Sequence, residues 1–579
     1  MAAYNPDTTF ILIPTYAKDK EGRAAKILSK CLNDIYKTTG KFVVYKENFA
    51  PSHTEKFIIS IGATKAAAKI NPSSSNEYTY LITTDDNYTF IKGKNETGTL
   101  IGTTLFMEKF CDYFIFMPSP LFTSWTKTEV NIPSGIFEDT PFVSYAYCTG
   151  LVSSTSWLAN DFTIDHGLQR KPFESHQHSF GRRFYGQYWF DKYPSIFPIY
   201  DGKRYFPESV NDQKWQPDWL SPDMVPASIE SATNYFTENP GIDYISFSVM
   251  DSKRYSKEGY IGKWVNRGEY AQRNAADKDW TYAYTDSYVS YLNELAVALE
   301  AAGYGNKTIV YIAYGSVNAL PKVPLHRMIL PIRVSPLCFY GIRPNGYTPK
   351  QWSGVTNQLG EHDYANGDGY YYGTLYCKKI QKFLKDCIDA TVKPQFFHIE
   401  LSPNWLLDGF KIYIYSKLLW DSDVDVDRLL MKICNRVFGE TASGAMFAYF
   451  NKIEDLNNSM QTDYYRAARN FSKQMILNKE QREILTQVEY YLYTAASLTK
   501  DEDILKKIEL FKTVFIMSKK WFDIANNPLK DQVQIDDLKA YMNEHIKGDI
   551  RALWMATHQN FDKILGNALE AVTAGKKSA

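Results

Sequence analysis

From residue 142 to residue 400 this chain alternates short apolar runs with stretches of helical periodicity. The apolar runs lie at 142–151, 244–250, 308–314, 328–334, 370–376 and 395–400. Between them Tyr288, Val289, Leu292, Leu295, Ala296 and Leu299 share one helical face, which Gly303 ends. Strands separated by helices make parallel sheets, because a parallel pair needs a long crossover. Over about 280 residues such alternation predicts a (β/α)8 TIM-like barrel, for which ~250 residues are typical. Six or seven strands are legible rather than eight, and Pro331 argues against a central position for its run.

The pattern changes on either side. Residues 9–14 read as a strand, and Ala24, Ile27, Leu28, Cys31, Leu32 and Ile35 as one face of a helix closed by Gly40. Strands at 42–45, 57–61 and 78–82, a hairpin through 87–98 and a helix over 98–110 follow, and 126–141 reads as a linker. From 421 onward the pattern is helical, with capping boxes at Asn478-x-x-Gln481 and Thr499-x-x-Glu502. The expected organisation is an accessory α/β domain at 1–135, the TIM-like barrel at 136–420 and an α-helical C-terminal domain at 421–579. Those last helices are expected to pack on the barrel or, in a homo-oligomer, on another subunit.

Lys+Arg and Asp+Glu both number 65, which argues against a nucleic-acid partner, whose phosphates call for a basic surplus. No run of ~20 apolar residues suits a membrane span. The opening Met-Ala-Ala-Tyr-Asn-Pro-Asp has neither a basic n-region nor an apolar core, so no signal peptide is expected. A start engineered onto an exported mature chain would read the same. Cysteines 31, 111, 148, 338, 377, 387 and 434 form no C-x-x-C pair, which points to buried thiols rather than a zinc ribbon or dithiol. Tyr, Phe and Trp reach 15% of the chain; such rings stack on sugars or fill cores.

Several pieces carry a resemblance. A-A-K-I-L-S-K-C-L-N-D-I-Y-K-T-T-G (24–40), F-I-I-S-I-G (57–62) and G-T-L-I-G-T-T-L-F-M-E-K-F (98–110) resemble the domain preceding the barrel in family-67 alpha-glucuronidases and family-20 hexosaminidases. There it is an accessory without catalytic residues. H-Q-H-S-F (176–180), Y-W-F-D-K-Y-P-S-I-F-P-I-Y-D-G-K-R (188–204), W-Q-P-D-W-L-S-P-D-M-V (215–225) and S-F-S-V-M-D (246–251) resemble the glycosidase-like family catalogued as domain of unknown function 4838. L-L-W-D-S-D-V-D-V-D-R-L-L (418–430) and V-F-G-E-T-A (437–442) extend that likeness. Members often follow the strand-end Asp with Asn and a C-x-C-x-x-C cluster, whereas here Asp251 precedes Ser-Lys-Arg-Tyr. Any metal or disulfide role of those cysteines does not carry over. The resemblance implies a glycosidase-like barrel and names no substrate.

Two strand-like runs end in an acid: Q-F-F-H-I-E at Glu400, before Pro403, and D-Y-I-S-F-S-V-M-D at Asp251. Glycoside hydrolysis needs a proton donor and a second carboxylate as nucleophile or base. Glu400, between Ile399 and Leu401, is expected as the donor; Asp251, near Lys253 and Arg254, as nucleophile or base. Each acid alternatively caps a helix or pairs with a cation. His176 and His178 form an H-x-H that on a strand would aim both rings one way, as in a metal site. Further ligands would have to come from His326 or His398, which lie off the expected strand ends. Sugar hydrogen bonding or a structural role competes with metal, and neither metal nor cofactor is expected. Trp157, Tyr314 and Trp405 follow strand ends, as stacking platforms or as core. Arg182, beside Arg183, clamps a uronic acid carboxylate or belongs to a solvated face. The expected function is a glycoside hydrolase acting on a polysaccharide or glycan. Its rivals are a non-catalytic carbohydrate-binding or structural protein on the same barrel, and a metal-dependent hydrolase.

Overall fold

Two large sheets and a series of long helices make up the computed structural model. It describes residues 2–51, 56–149, 157–170, 176–256, 258–261, 284–335, 347–365, 375–400, 405–459, 477–526 and 532–545, with Leu337, Tyr340, Lys547 and Leu553. The first sheet contains β1 (Thr9–Ile13), β2 (Val44–Lys46), β3 (Phe57–Ile61), β4 (Tyr80–Thr84), β5 (Tyr88–Gly93) and β6 (Gly135–Asp139). Their order is β6-β4-β5-β3-β1-β2, with β4 antiparallel to β5 and β6 and the other pairs parallel. Helices α1 (Asp19–Ile35) and α2 (Glu96–Phe110) bury Leu28, Cys31, Leu32, Leu100 and Phe106 against Ile59 and Ile91 of this sheet. Helix α1 stops before the expected Gly40, where Lys37 takes a left-handed φ of 53°. Residues 135–139, expected within a linker, instead pair with β4 as an edge strand.

The second sheet contains β7 (Tyr145–Thr149), β8 (Gln169–Arg170), β9 (Tyr244–Ser246), β10 (Thr308–Ala313), β11 (Ile329–Val334), β12 (Gln358–Tyr364) and β13 (Lys393–Glu400). The order is β8-β7-β13-β12-β11-β10-β9; β8 runs antiparallel and the rest are parallel. The rings of Tyr145 on β7 and Tyr244 on β9 lie 5.3 Å apart although four strands separate them in the sheet. Only a sheet curled on itself brings those rings together. Its concave side holds Val310, Leu330, Ile332 and Phe396 beneath Tyr147.

Helices α3 (Trp157–Asp165), α4 (Phe180–Phe184), α5 (Met224–Glu238), α6 (Thr285–Leu299), α7 (Cys377–Asp389) and α8 (Trp405–Trp420) accompany this sheet. Pro331 does lie in a central strand. Ile309 N–H donates to the Met328 carbonyl, so even-numbered residues of β11 face β10 and Pro331 presents its nitrogen toward β12. Pairing with β12 begins only at Ile332, and the missing donor therefore breaks no ladder bond. Of the expected strand at 370–376, residues 370–374 lie outside the described residues, and Tyr376 leads into α7. The strand beside β13 is β12, whose sequence Q-L-G-E-H-D-Y hid it from an apolar pattern.

Four further helices follow: α9 (Val426–Ser459), α10 (Lys479–Ser497), α11 (Glu502–Asn526) and α12 (Gln532–His545). Phe410 of α8, Phe438 and Phe450 of α9 and Phe511 of α11 pack as one aromatic knot with centroids 5.2–6.3 Å apart. Asn478 and Gln481 form the expected capping box, whereas at α11 it is Asp501 that accepts the Asp503 and Ile504 N–H groups. The six described cysteines are buried free thiols. Among the described residues no helix is long and apolar enough to cross a membrane.

Candidate functional site

In a parallel sheet every strand ends on the same edge, and side chains alternate between the two faces. On the C-terminal edge, register sets Thr149, Glu400 and Tyr364 side by side, with Tyr147, His398 and His362 in the row below. The His362 and His398 rings are 4.1 Å apart with Nδ1 atoms at 3.2 Å. His398 Nε2 lies 2.6 Å from the Thr149 hydroxyl, and His362 Nε2 lies 3.0 Å from Glu400 Oε2. His176 packs into the same pocket, 4.6 Å from the His398 ring and 5.0 Å from Phe396. All three imidazoles are at least 98% buried, while the Glu400 side chain keeps 38% of its surface. Ile399 points to the opposite face, so it does not screen Glu400 from water.

Residues 176–179 run beside β9 and its extension. Ser179 N–H and hydroxyl donate to the Ser248 and Ser246 carbonyls, and the Ser248 hydroxyl donates to the His176 carbonyl. The H-x-H is not a strand: His178 has a φ of 47°, which turns its ring away from His176. Its Nδ1 lies 2.8 Å from the Val249 carbonyl, and its ring 5.8 Å from that of Tyr314. Tyr314, just after β10, donates its hydroxyl to Asp251 Oδ1 at 3.0 Å. Gln177, between the two histidines, places Nε2 3.0 Å from His362 Nδ1. One tripeptide thus touches both the Glu400 group and the Asp251 group.

The end of the 244–251 run is held by two glutamines. Gln213 Oε1 accepts the Asp251 N–H at 2.8 Å, and Gln216 bonds the Met250 N–H and carbonyl. Arg254, three residues beyond Asp251, lies over the Tyr200 ring at 4.3 Å. Trp405 is not a stacking platform: it is fully buried at the start of α8, edge-on to Phe162. Arg182 is exposed on α4, while its neighbour Arg183 is buried over the Tyr235 ring at 4.4 Å. The Trp157 side chain lies outside the described residues. His326 precedes β11 at the opposite edge of the sheet and pairs with Glu300 at 3.2 Å.

The match to a family model falls on this sheet. Residues 127–451 match the model described as Domain of unknown function (DUF4838). The chain belongs to that family. No curated protein matches it. Among solved structures, the DUF4838 chain is similar to a family GH115 4-O-methyl-alpha-glucuronidase, BtGH115A, with specificity for decorated arabinogalactans. Identity is 10% over 96% of this chain and 79% of that one, with a TM-score of 0.56. A GH138 enzyme targeting pectin rhamnogalacturonan II also matches, at 10% identity over 98% of this chain and 99% of that one, with a TM-score of 0.41. At such identity the likeness to the glucuronidase is one of fold.

Sequence reasoning missed His362, Gln177 and Thr149 in this DUF4838 chain. It also missed the ionisable groups on the convex face of β12, where Arg333 Nε bonds Glu361 Oε2 at 2.7 Å. There Asp363 accepts the hydroxyls of Tyr376 and Tyr415 at 2.9 and 2.6 Å. Burial raises the Glu361 and Asp363 carboxyls; Arg333 pulls the first back, and the tyrosine hydroxyls with the Leu337 N–H pull back the second. Three consecutive titratable residues, Glu361-His362-Asp363, were the available signal, since only a strand sends the middle one to a different face from its neighbours.

Proposed function

We propose that this chain is a glycoside hydrolase in which Glu400 protonates the leaving oxygen and Asp251 serves as nucleophile or as base for water. The reading extends the curled sheet to an eight-stranded barrel, with 176–179 running where another strand belongs. An accessory domain at 1–135 and a helical domain at 421–579 flank it. The observation that carries the reading is Glu400 at the end of β13, with one carboxylate oxygen 3.0 Å from His362 Nε2. The imidazole fixes that oxygen, and the other is offered to the glycosidic oxygen. Across the tripeptide 176–178, Tyr314 orients Asp251 through its hydroxyl. Family membership and the fold shared with a glucuronidase support a carbohydrate as the substrate. Arg182 is an exposed cation of the type that suits an acidic sugar.

A panel of neutral and acidic glycans, screened for binding and for released sugar, tests this. Glu400→Gln is expected to lower turnover ~10²–10⁴-fold with binding retained. Unchanged turnover would remove Glu400 from the chemistry. Binding without release by the unmodified chain would favour a carbohydrate-binding protein on the same scaffold.

A further inference from the structure

His176, His362 and His398 each present a ring nitrogen to one buried point, and these three atoms all lie within 4.8 Å of one another. The far nitrogens of two of the rings meet oxygens: His362 Nε2 faces Glu400 at 3.0 Å and His398 Nε2 faces Thr149 at 2.6 Å. With Glu400 Oε2 as the acceptor, His362 Nε2 carries the proton and Nδ1 carries the lone pair. His398 Nδ1 lies 3.2 Å from that nitrogen, and Gln177 Nε2 lies 3.0 Å from it and 3.4 Å from His362 Nε2.

Two nitrogens each ~2.05 Å from a tetrahedral zinc stand ~3.3 Å apart, close to the 3.2 Å between the two Nδ1 atoms. Ligating histidines typically turn their other ring N–H to a carboxylate or another oxygen acceptor, which fixes the tautomer. Glu400 and Thr149 stand where those acceptors belong. We infer that His176, His362 and His398 bind one first-row divalent metal ion, zinc foremost, through His362 Nδ1, His398 Nδ1 and a ring nitrogen of His176. Three imidazoles suit zinc, copper, cobalt or nickel rather than magnesium or calcium, which prefer oxygen. They leave a four-coordinate ion one position for an oxygen ligand. The site stands independently of the glycosidase reading, since the His362 N–H to Glu400 contact is the same in both.

The test uses the full chain, stripped with a chelator and titrated with zinc chloride and, separately, with cobalt chloride. Expected results are one equivalent of zinc per chain and the visible ligand-field bands of tetrahedral cobalt. Thr149→Val, which alters only an outer partner, is expected to weaken zinc roughly tenfold; His398→Gln, which removes a ligand, weakens it further. The cobalt spectrum of the unmodified chain needs no variant, so a misfolded His398→Gln leaves the question decidable. No zinc uptake, a six-coordinate cobalt spectrum, or unchanged affinity in a folded His398→Gln chain overturns the site.

Discussion

The Tyr314 hydroxyl donates to Asp251 Oδ1 at 3.0 Å, joining the ends of two neighbouring strand segments on the C-terminal edge of the curled sheet. Tyr314→Phe removes that donor and keeps the ring. A hydrogen bond to a charged group contributes ~1.5–3 kcal/mol when desolvated, and less at an exposed carboxylate such as Asp251. On the hydrolase reading, turnover should fall roughly three- to tenfold, with the melting temperature unmoved. Steady-state kinetics beside a thermal melt checks this; a loss confined to stability would make Tyr314 a packing residue.

Trp405 should behave as core. Its ring is fully buried against Phe162, so Trp405→Ala is expected to cost ~3–5 kcal/mol in denaturant unfolding. On the hydrolase reading, a milder Trp405→Phe should leave glycan affinity untouched, because no face of the indole reaches solvent. Weaker sugar binding by a stable Phe variant would contradict this.

Lys411 and Asp408 are both fully buried on α8 with 2.8 Å between Nζ and Oδ1, and Lys411 also donates to the Ala365 carbonyl just beyond β12. Lys411→Met leaves a buried carboxylate and a backbone carbonyl without that donor. The expected loss is ~3–5 kcal/mol in equilibrium unfolding. A loss below about 1 kcal/mol, the worth of an exposed pair, would show that water reaches Asp408.

Asp218 supplies a pH signature. It is buried, accepts the Tyr260 and Ile261 N–H groups at 2.6 and 3.0 Å, and burial pushes its carboxyl up to about 6. The unfolded value is ~3.9. A folded pKa above the unfolded one means the native state holds the proton longer. That contribution is complete below pH ~4 and is lost as pH rises through about 6, with a span of roughly 2–3 kcal/mol. Relative to Asp218→Asn, the unmodified chain should therefore weaken between pH ~4 and ~6 and run parallel above. Urea midpoints at several pH values measure the difference; parallel curves throughout would refute it.

Much of the fold was legible because a half-buried element writes its period into the chain. The runs at 308–314, 328–334 and 395–400 became β10, β11 and β13, and the Tyr288–Leu299 stripe became α6. Strand β12 was illegible for the opposite reason. It buries Glu361 and Asp363 on one face and His362 on the other, each matched by partners from other elements. An apolar pattern cannot register a strand whose burial is compensated by ion pairs and hydrogen bonds.

The sequence by itself determined that acids close two strand-like runs, that helices separate the strands, and which residue types stand at 176–178, because these are local properties of neighbouring side chains. Only the tertiary structure decided that His176 and His178 part company, that His362 and His398 stand between Thr149 and Glu400, and that Trp405 turns inward. Those outcomes follow from sheet register and a left-handed turn. Both bring residues far apart in the chain to one edge, and no local pattern encodes which strand lies beside which.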